Sequence, residues 1–128
     1  AVDNGPEVVY HDLINSDETL SLVISKLDNE VDLDDLGGAD AVGERLFGEK
    51  TKDNPIQLID ASEREVENRK FYDLEYFVDL KEKSRHEYAT VVVDRGFLYT
   101  LAASTSEQRW SKMQDIYKRV ISSFTFFI

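Results

Sequence analysis

Between Ile56 and Ala103 the chain runs through four stretches of alternating or β-rich residues separated by turn formers, and this pattern restricts the available folds more than any other feature. Ile56 to Val66 and Lys70 to Leu80 flank Glu67-Asn68-Arg69, a turn whose Asn tolerates the left-handed conformation. His86 to Val93 and Phe97 to Ala103 flank Asp94-Arg95-Gly96, with Gly where a positive φ is favoured. Strands joined this tightly pair antiparallel, because a parallel crossover needs a dozen or more residues. Within the second run Tyr72, Leu74, Tyr76 and Val78 share one parity and are predicted to be buried. Phe71, Asp73, Glu75 and Phe77 share the other, a mixed face that another element must cover.

Upstream, Glu7 to His11 follows a Gly5-Pro6 turn and reads as a short strand. Asn15 to Glu18 reads as a turn, and Leu20 to Leu27 as a second strand that pairs with the first. Asp40 is positioned to cap a short helix with Val42, Leu46 and Phe47 on one face. A second helix starts from Ser104 or Ser106 and carries Trp110, Met113, Tyr117, Val120, Ile121 and Phe124 at spacings of three and four. Trp110 is its core anchor, with Arg109 exposed beside it, and Phe124 to Ile128 reads as an edge strand. Few helices among antiparallel hairpins give an α+β class, a sheet flanked by helices in an α-β-α sandwich.

A chain of 128 residues with 41% hydrophobic content closes one core, and is read as a single domain over 1–128. With no cysteine, disulfides, thiolate metal sites and thiol nucleophiles are excluded. Fifteen basic against 26 acidic residues leave a formal charge of −11, which repels nucleic-acid backbones and anionic leaflets and suggests a basic partner surface, bound cations or simply high solubility. No stretch has the roughly 20 apolar residues needed to span a bilayer. The start shows no secretory signal pattern, and its abrupt entry points to a native N-terminus that extends further.

Reactive groups are sparse. The two histidines, His11 and His86, fall in separate strands, and no nucleophile-elbow, P-loop or dinucleotide fingerprint is present. Carboxylate pairs Glu63/Glu65 and Asp73/Glu75 read as solvent-facing, and both histidines as hydrogen-bonded surface groups. Asp32, Asp34 and Asp35 do not make an EF-hand loop, because the twelfth position from Asp32 is Gly43 rather than a bidentate Glu.

Val8-Val9-Tyr10-His11-Asp12-Leu13-Ile14, Ser21-Leu22-Val23-Ile24, Phe71-Tyr72-Asp73-Leu74-Glu75-Tyr76, Arg85-His86, Gly96-Phe97-Leu98-Tyr99-Thr100 and Glu107-Gln108-Arg109-Trp110 leading to Ser122-Ser123-Phe124 occur in the order and spacing of PsbP-domain proteins. Over nearly its whole length the chain resembles the PsbP family, nearest its PsbP-like and CyanoP branches, but lacks the N-terminal strand pair and extension usual in members. The resemblance implies a non-catalytic extrinsic protein, peripheral on the lumenal face of the thylakoid membrane. It implies partners among photosystem II core subunits and a role in assembly, repair or stabilisation of the oxygen-evolving side. Relatives that serve the chloroplast NADH dehydrogenase-like complex give one alternative. A small-ligand binder using Phe71, Phe77 and Phe97 gives another. No cofactor is required under this resemblance. It places a weak divalent-metal site for manganese, zinc or calcium at His86 and Glu107, and partner contacts at Arg85, His86 and Arg109.

Overall fold

The computed structural model describes residues 2–3, 6–11, 18–47, 55–79 and 83–123. Short strands β1 (Val2–Asp3) and β2 (Pro6–His11) precede five long ones: β3 (Thr19–Leu27), β4 (Ile56–Val66), β5 (Arg69–Val78), β6 (Arg85–Asp94) and β7 (Phe97–Ser106). The long strands lie in the order β3-β7-β6-β5-β4, all neighbours antiparallel, and β1 and β2 both pair with β3. The hairpins expected from the turn residues are therefore present. Their loops are the two-residue type in which both positions take a positive φ: 51° and 66° at Glu67 and Asn68, 49° and 83° at Arg95 and Gly96. That backbone twist matches the twist of the flanking strands and fixes the register, Val66 opposite Arg69 and Asp94 opposite Phe97.

Helix α1 (Ala39–Phe47) packs on β4 and β5, and helix α2 (Glu107–Ser122) on β6 and β7. The two helices lie on opposite faces of the sheet, which completes the α-β-α sandwich. On the α1 side Leu27, Leu33, Ala39, Val42, Tyr72, Leu74, Val91 and Leu98 form one core cluster; on the α2 side Ala103, Trp110, Tyr117 and Ile121 form another. Tyr72 and Leu74 are buried as their parity requires, and so is Phe71, at 2% exposure, because the Arg64 guanidinium lies 4.3 Å above its ring. Phe71 is thus no part of an open ligand face, whereas Phe97 remains 38% exposed.

Three local expectations change. Helix α1 begins at Ala39, one residue before the expected cap, and Asp40 sits inside its first turn with Oδ1 accepting the Ala41 N–H at 3.0 Å. An acid there still complements the helix dipole. Val120 is 43% exposed, since Trp110, Tyr117 and Ile121 alone suffice to seat α2. The Asp-rich segment closes on itself as a 3₁₀ turn over Leu33–Leu36, in which the Asp32 N–H donates to Asp35 Oδ2 at 2.9 Å. Of the turn expected over 15–18 only Glu18 is among the described residues, and the edge strand expected at 124–128 lies outside them.

Gly43 sets how closely α1 approaches the sheet. A Cβ there would stand 3.1 Å from Leu58 Cδ2 and 3.3 Å from Leu74 Cδ2. Gly43→Ala is expected to be nearly neutral, because the helix-propensity gain of about 1 kcal/mol offsets a small shift of leucine methyls. Gly43→Leu adds atoms that the Leu58–Leu74 contact cannot admit and is expected to cost about 1–3 kcal/mol by overpacking. Urea unfolding of the two variants checks this, and equal midpoints would show that α1 does not pack tightly at Gly43.

Candidate functional site

The sheet face beneath α2 is polar at its centre. Alternation from β5 and β6 places Asp73, Glu75, His86, Tyr88 and Thr90 on that face, with Ala103 and Thr105 contributed by β7. Covering these groups with a helix removes them from water, and each charge then needs a partner.

His86 is the most tightly held of them. Only 5% of the residue is exposed, and its ring stacks on the Trp110 indole with centroids 3.8 Å apart and planes 13° from parallel. Its Nε2 lies 2.7 Å from Glu75 Oε2 on β5, and its Nδ1 lies 2.8 Å from Glu107 Oε2 in the first turn of α2. A neutral imidazole has one N–H and can donate to only one carboxylate, whereas the doubly protonated ring satisfies both. The side chain links the start of α2 to the centre of the sheet through its two ring nitrogens and a stacking contact.

A second clamp holds the other end of the helix. Arg64 Nε donates to both carboxylate oxygens of Asp73, at 3.1 and 2.8 Å, while Nη2 reaches Thr90 Oγ1 at 3.2 Å and the Ile121 carbonyl at 3.4 Å. A guanidinium at a helix C-terminus meets carbonyls with no intrahelical donor. Between the clamps Lys118 Nζ approaches Glu75 Oε1 at 3.8 Å. Beside the first clamp Arg109 Nε donates to Glu18 Oε1 at 2.6 Å, with Glu18 only 4% exposed.

These contacts correct two sequence expectations. Asp73 is 7% exposed and the Glu75 side chain 15%, so this pair does not face solvent, and His86 is not a surface histidine. Parity placed them together, but the polarity of that face concealed the helix above it. Glu63 and Glu65 do face solvent. The side chain of His11 lies outside the described residues.

His86 and Glu107, predicted as a pair, are in contact. His86 offers one ring nitrogen toward Glu107 while the other is occupied by Glu75, and no group of three or more His, Asp or Glu side chains converges on one point among the described residues. Two donors do not by themselves make a tight metal centre. Arg85, His86 and Arg109 do not share a surface: Arg85 Nε bonds Ser104 Oγ at 2.9 Å on the α1 face, His86 is buried, and Arg109 turns to Glu18. Arg64 and Glu18 were not singled out from sequence, and Glu75 was singled out only as a solvent-facing acid. Arg64 was detectable, since the Glu67-Asn68 loop sets it opposite Phe71 and diagonal to Asp73 on one face. Glu18, 91 positions from Arg109, carried no local signal.

Glu87 lies on the opposite face from His86, across from Tyr76 and Ser104. Burial raises its carboxyl above the usual value of 4.5, against the opposing effects of a Ser104 hydrogen bond and the Arg85 charge. Tyr76 is pushed well above 10, first by burial and then by the Glu87 charge. A carboxyl raised on folding binds its proton more tightly in the native chain, so its stabilising effect is complete below the unfolded value and is lost as pH rises through the native one. Glu87→Gln removes this loss. Relative to the unaltered chain, the variant is expected to gain melting temperature between pH 4 and pH 7.5; a difference that stays constant over that interval would show that Glu87 does not titrate with folding.

The family model described as PsbP matches residues 1–126. CyanoP of Thermosynechococcus vestitus is 33% identical over 97% of this chain and 73% of its own length, and CyanoP of Synechocystis sp. is 38% identical over 94% and 66%. The chloroplastic PsbP-like protein 1 of Arabidopsis thaliana is 32% identical over 96% of this chain and 54% of its own. The chain thus spans from about half to about three quarters of the length of these relatives. The solution structure of Synechocystis CyanoP superposes with a TM-score of 0.82 at 36% identity, covering 98% of this chain and 76% of that one. The Pseudomonas aeruginosa protein PA94 shares the fold alone, with a TM-score of 0.67 at 12% identity. With the family model matched almost end to end and the CyanoP structure superposing over 98% of its residues, this chain belongs to the PsbP family.

Proposed function

We propose that this chain is a non-catalytic extrinsic protein that attaches to photosystem II on the lumenal side of the thylakoid membrane and acts in its assembly, repair or stabilisation. The observation that carries this reading is the family match over residues 1–126, together with relatives named CyanoP and chloroplastic PsbP-like protein 1. The polar groups beneath α2 support it, because His86, Glu75, Arg64 and Asp73 are used to hold a helix in place. A groove of about 840 Å³ at the end of the sheet is lined mainly by Asp32, Asp34, Asp35, Glu65, Glu67 and Asp94 with Arg69, Lys70 and Arg95. Charged walls of this kind suit contact with another macromolecule better than an apolar small ligand. No described helix is long and apolar enough to cross a membrane, in keeping with peripheral attachment.

At a formal charge of −11 attachment is expected to be ionic in part, since rim charges steer association and are screened within about 3 Å at 1 M salt. Purified chain added to cyanobacterial thylakoids stripped of extrinsic proteins is expected to sediment with them and to be released by about 1 M salt. Equal binding to membranes from a strain lacking photosystem II would overturn the reading.

A divalent cation enters this proposal as a weak, shared ligand. A manganese or zinc ion that replaced the proton between His86 Nδ1 and Glu107 Oε2, 2.8 Å apart, would take one imidazole and one carboxylate donor and leave further positions to water or to a partner. Calorimetric titration with each metal is expected to give weak binding that a His86→Ala, Glu107→Ala double variant loses. Identical heats for both chains would eliminate the site.

A further inference from the structure

Helix α2 packs on β6 and β7, and no described helix packs comparably on the adjoining β3 strip of the same sheet face. Register places Leu22 and Ile24 of β3 on that face beside Leu101 and Tyr99 of β7, with Lys26 beside Phe97. The four inner residues are only half-buried, and Phe97 is 38% exposed. Along α2, Met113, which like Leu20 and Leu101 packs against the Trp110 cluster, is followed by Ile116 and Val120 at spacings of three and four, so the three line the same side of the helix. Ile116 is 49% exposed and Val120 43%. Of the four large apolar residues exposed among the described residues, three lie on this side of the sheet; the fourth, Ile59, is on β4.

The charges around this shelf differ in sign from those of the molecule. Lys26, Lys112 and Arg119 are exposed at its edges, with Asp115 on α2 between the last two and Asp3 opposite Lys26 in the sheet, whereas Lys118 and Arg109 turn toward Glu75 and Glu18. The excess acid lies elsewhere, in Asp28 to Asp40 and along β4. A chain of net charge −11 thus presents an apolar step with a cationic rim. A helix packed on a sheet stands about 10 Å proud of it, so the step is about one helix deep.

We infer that this step is a docking surface for an amphipathic helix of a partner protein, apolar along one face and acidic at its flanks, lying beside α2 on β3 and β7. The inference rests on the docking reading above and names the face and the partner chemistry. An isologous pair of copies would set Lys112 and Arg119 against cations of their own kind. A flat leaflet cannot reach Leu22 and Ile24 at the foot of the step, and it would meet the net negative field of the chain.

The test uses the full chain and cyanobacterial thylakoids stripped of extrinsic proteins. Lys112→Glu with Arg119→Glu, through reversed steering and new repulsion, and separately Ile116→Ser with Val120→Ser, through lost apolar contact, are each expected to weaken sedimentation with the membranes about tenfold or more. These residues are exposed, so melting temperature is expected to stay near that of the unaltered chain. Glu44→Gln with Glu65→Gln, on the acidic side, serves as control and is expected to bind as the unaltered chain does. If the α2 variants bind undiminished while the unaltered chain still binds in a photosystem II-dependent way, this inference fails and the docking reading stands. If the unaltered chain does not bind at all, both fail. Binding to protein-free vesicles of anionic lipid that the α2 variants lose would assign the face to the leaflet, and a dimer in sedimentation equilibrium that they abolish would assign it to a second copy; either overturns the partner helix.

Discussion

Burial of both faces of β5 and β6 is the constraint from which the rest of this structure follows. An antiparallel sheet often leaves one face to water, and one helical layer then suffices. Here Tyr72, Leu74 and Val91 on one face and Phe71, Asp73 and Thr90 on the other are all at or below 7% exposure. Two helices must therefore be seated, one on each side. The two seats differ in chemistry: α1 rests on an apolar cluster at a glycine contact, whereas α2 rests on Trp110, Tyr117 and Ile121 around a polar centre.

That polar centre does little for net stability, because desolvating a carboxylate or a guanidinium offsets most of the attraction it gains. It does fix position. An apolar helix face can slide over leucines at small cost, but α2 is pinned at its start by His86 to Glu107 and at its end by Arg64 to the Ile121 carbonyl. Trp110 joins the two kinds of contact, since its indole stacks on His86 and meets Tyr117 edge-on at 6.4 Å. The outer stripe of α2 is consequently presented in one orientation. A rigid surface loses little entropy on binding, which suits a protein that works by attachment.

Separation of charge follows the same division of the sheet. The α1 side and the sheet end near Asp32 to Asp35 hold acid in excess, with Lys70 Nζ bound to Asp34 Oδ1 at 2.7 Å on the surface. That ion pair lowers the Asp34 carboxyl and raises the Lys70 ammonium. Both groups are solvent-exposed, so the pair adds little to stability. On the α2 side burial, and after it the Asp73 charge, pushes Tyr88 up to about 12, which keeps its hydroxyl neutral beside the ion pairs.

Strand order within each hairpin, the hairpin loops, the class of the fold and the seating of Trp110 were determined by the sequence, because period-two alternation and a left-handed Asn or Gly are local properties read over a few residues. The family was legible for the same reason, as a succession of short blocks at fixed spacing. The pairing of β3 with β7, which closes the sheet across some 75 positions, has no local signature and was decided by tertiary structure. The fate of Asp73, Glu75 and His86 was decided there too. A strand face of acids and an imidazole looks like a solvated face until a helix 20 or more residues away covers it, and only then do Glu107 and Lys118 join Arg64 of the neighbouring hairpin strand as the partners that make burial of those charges tolerable.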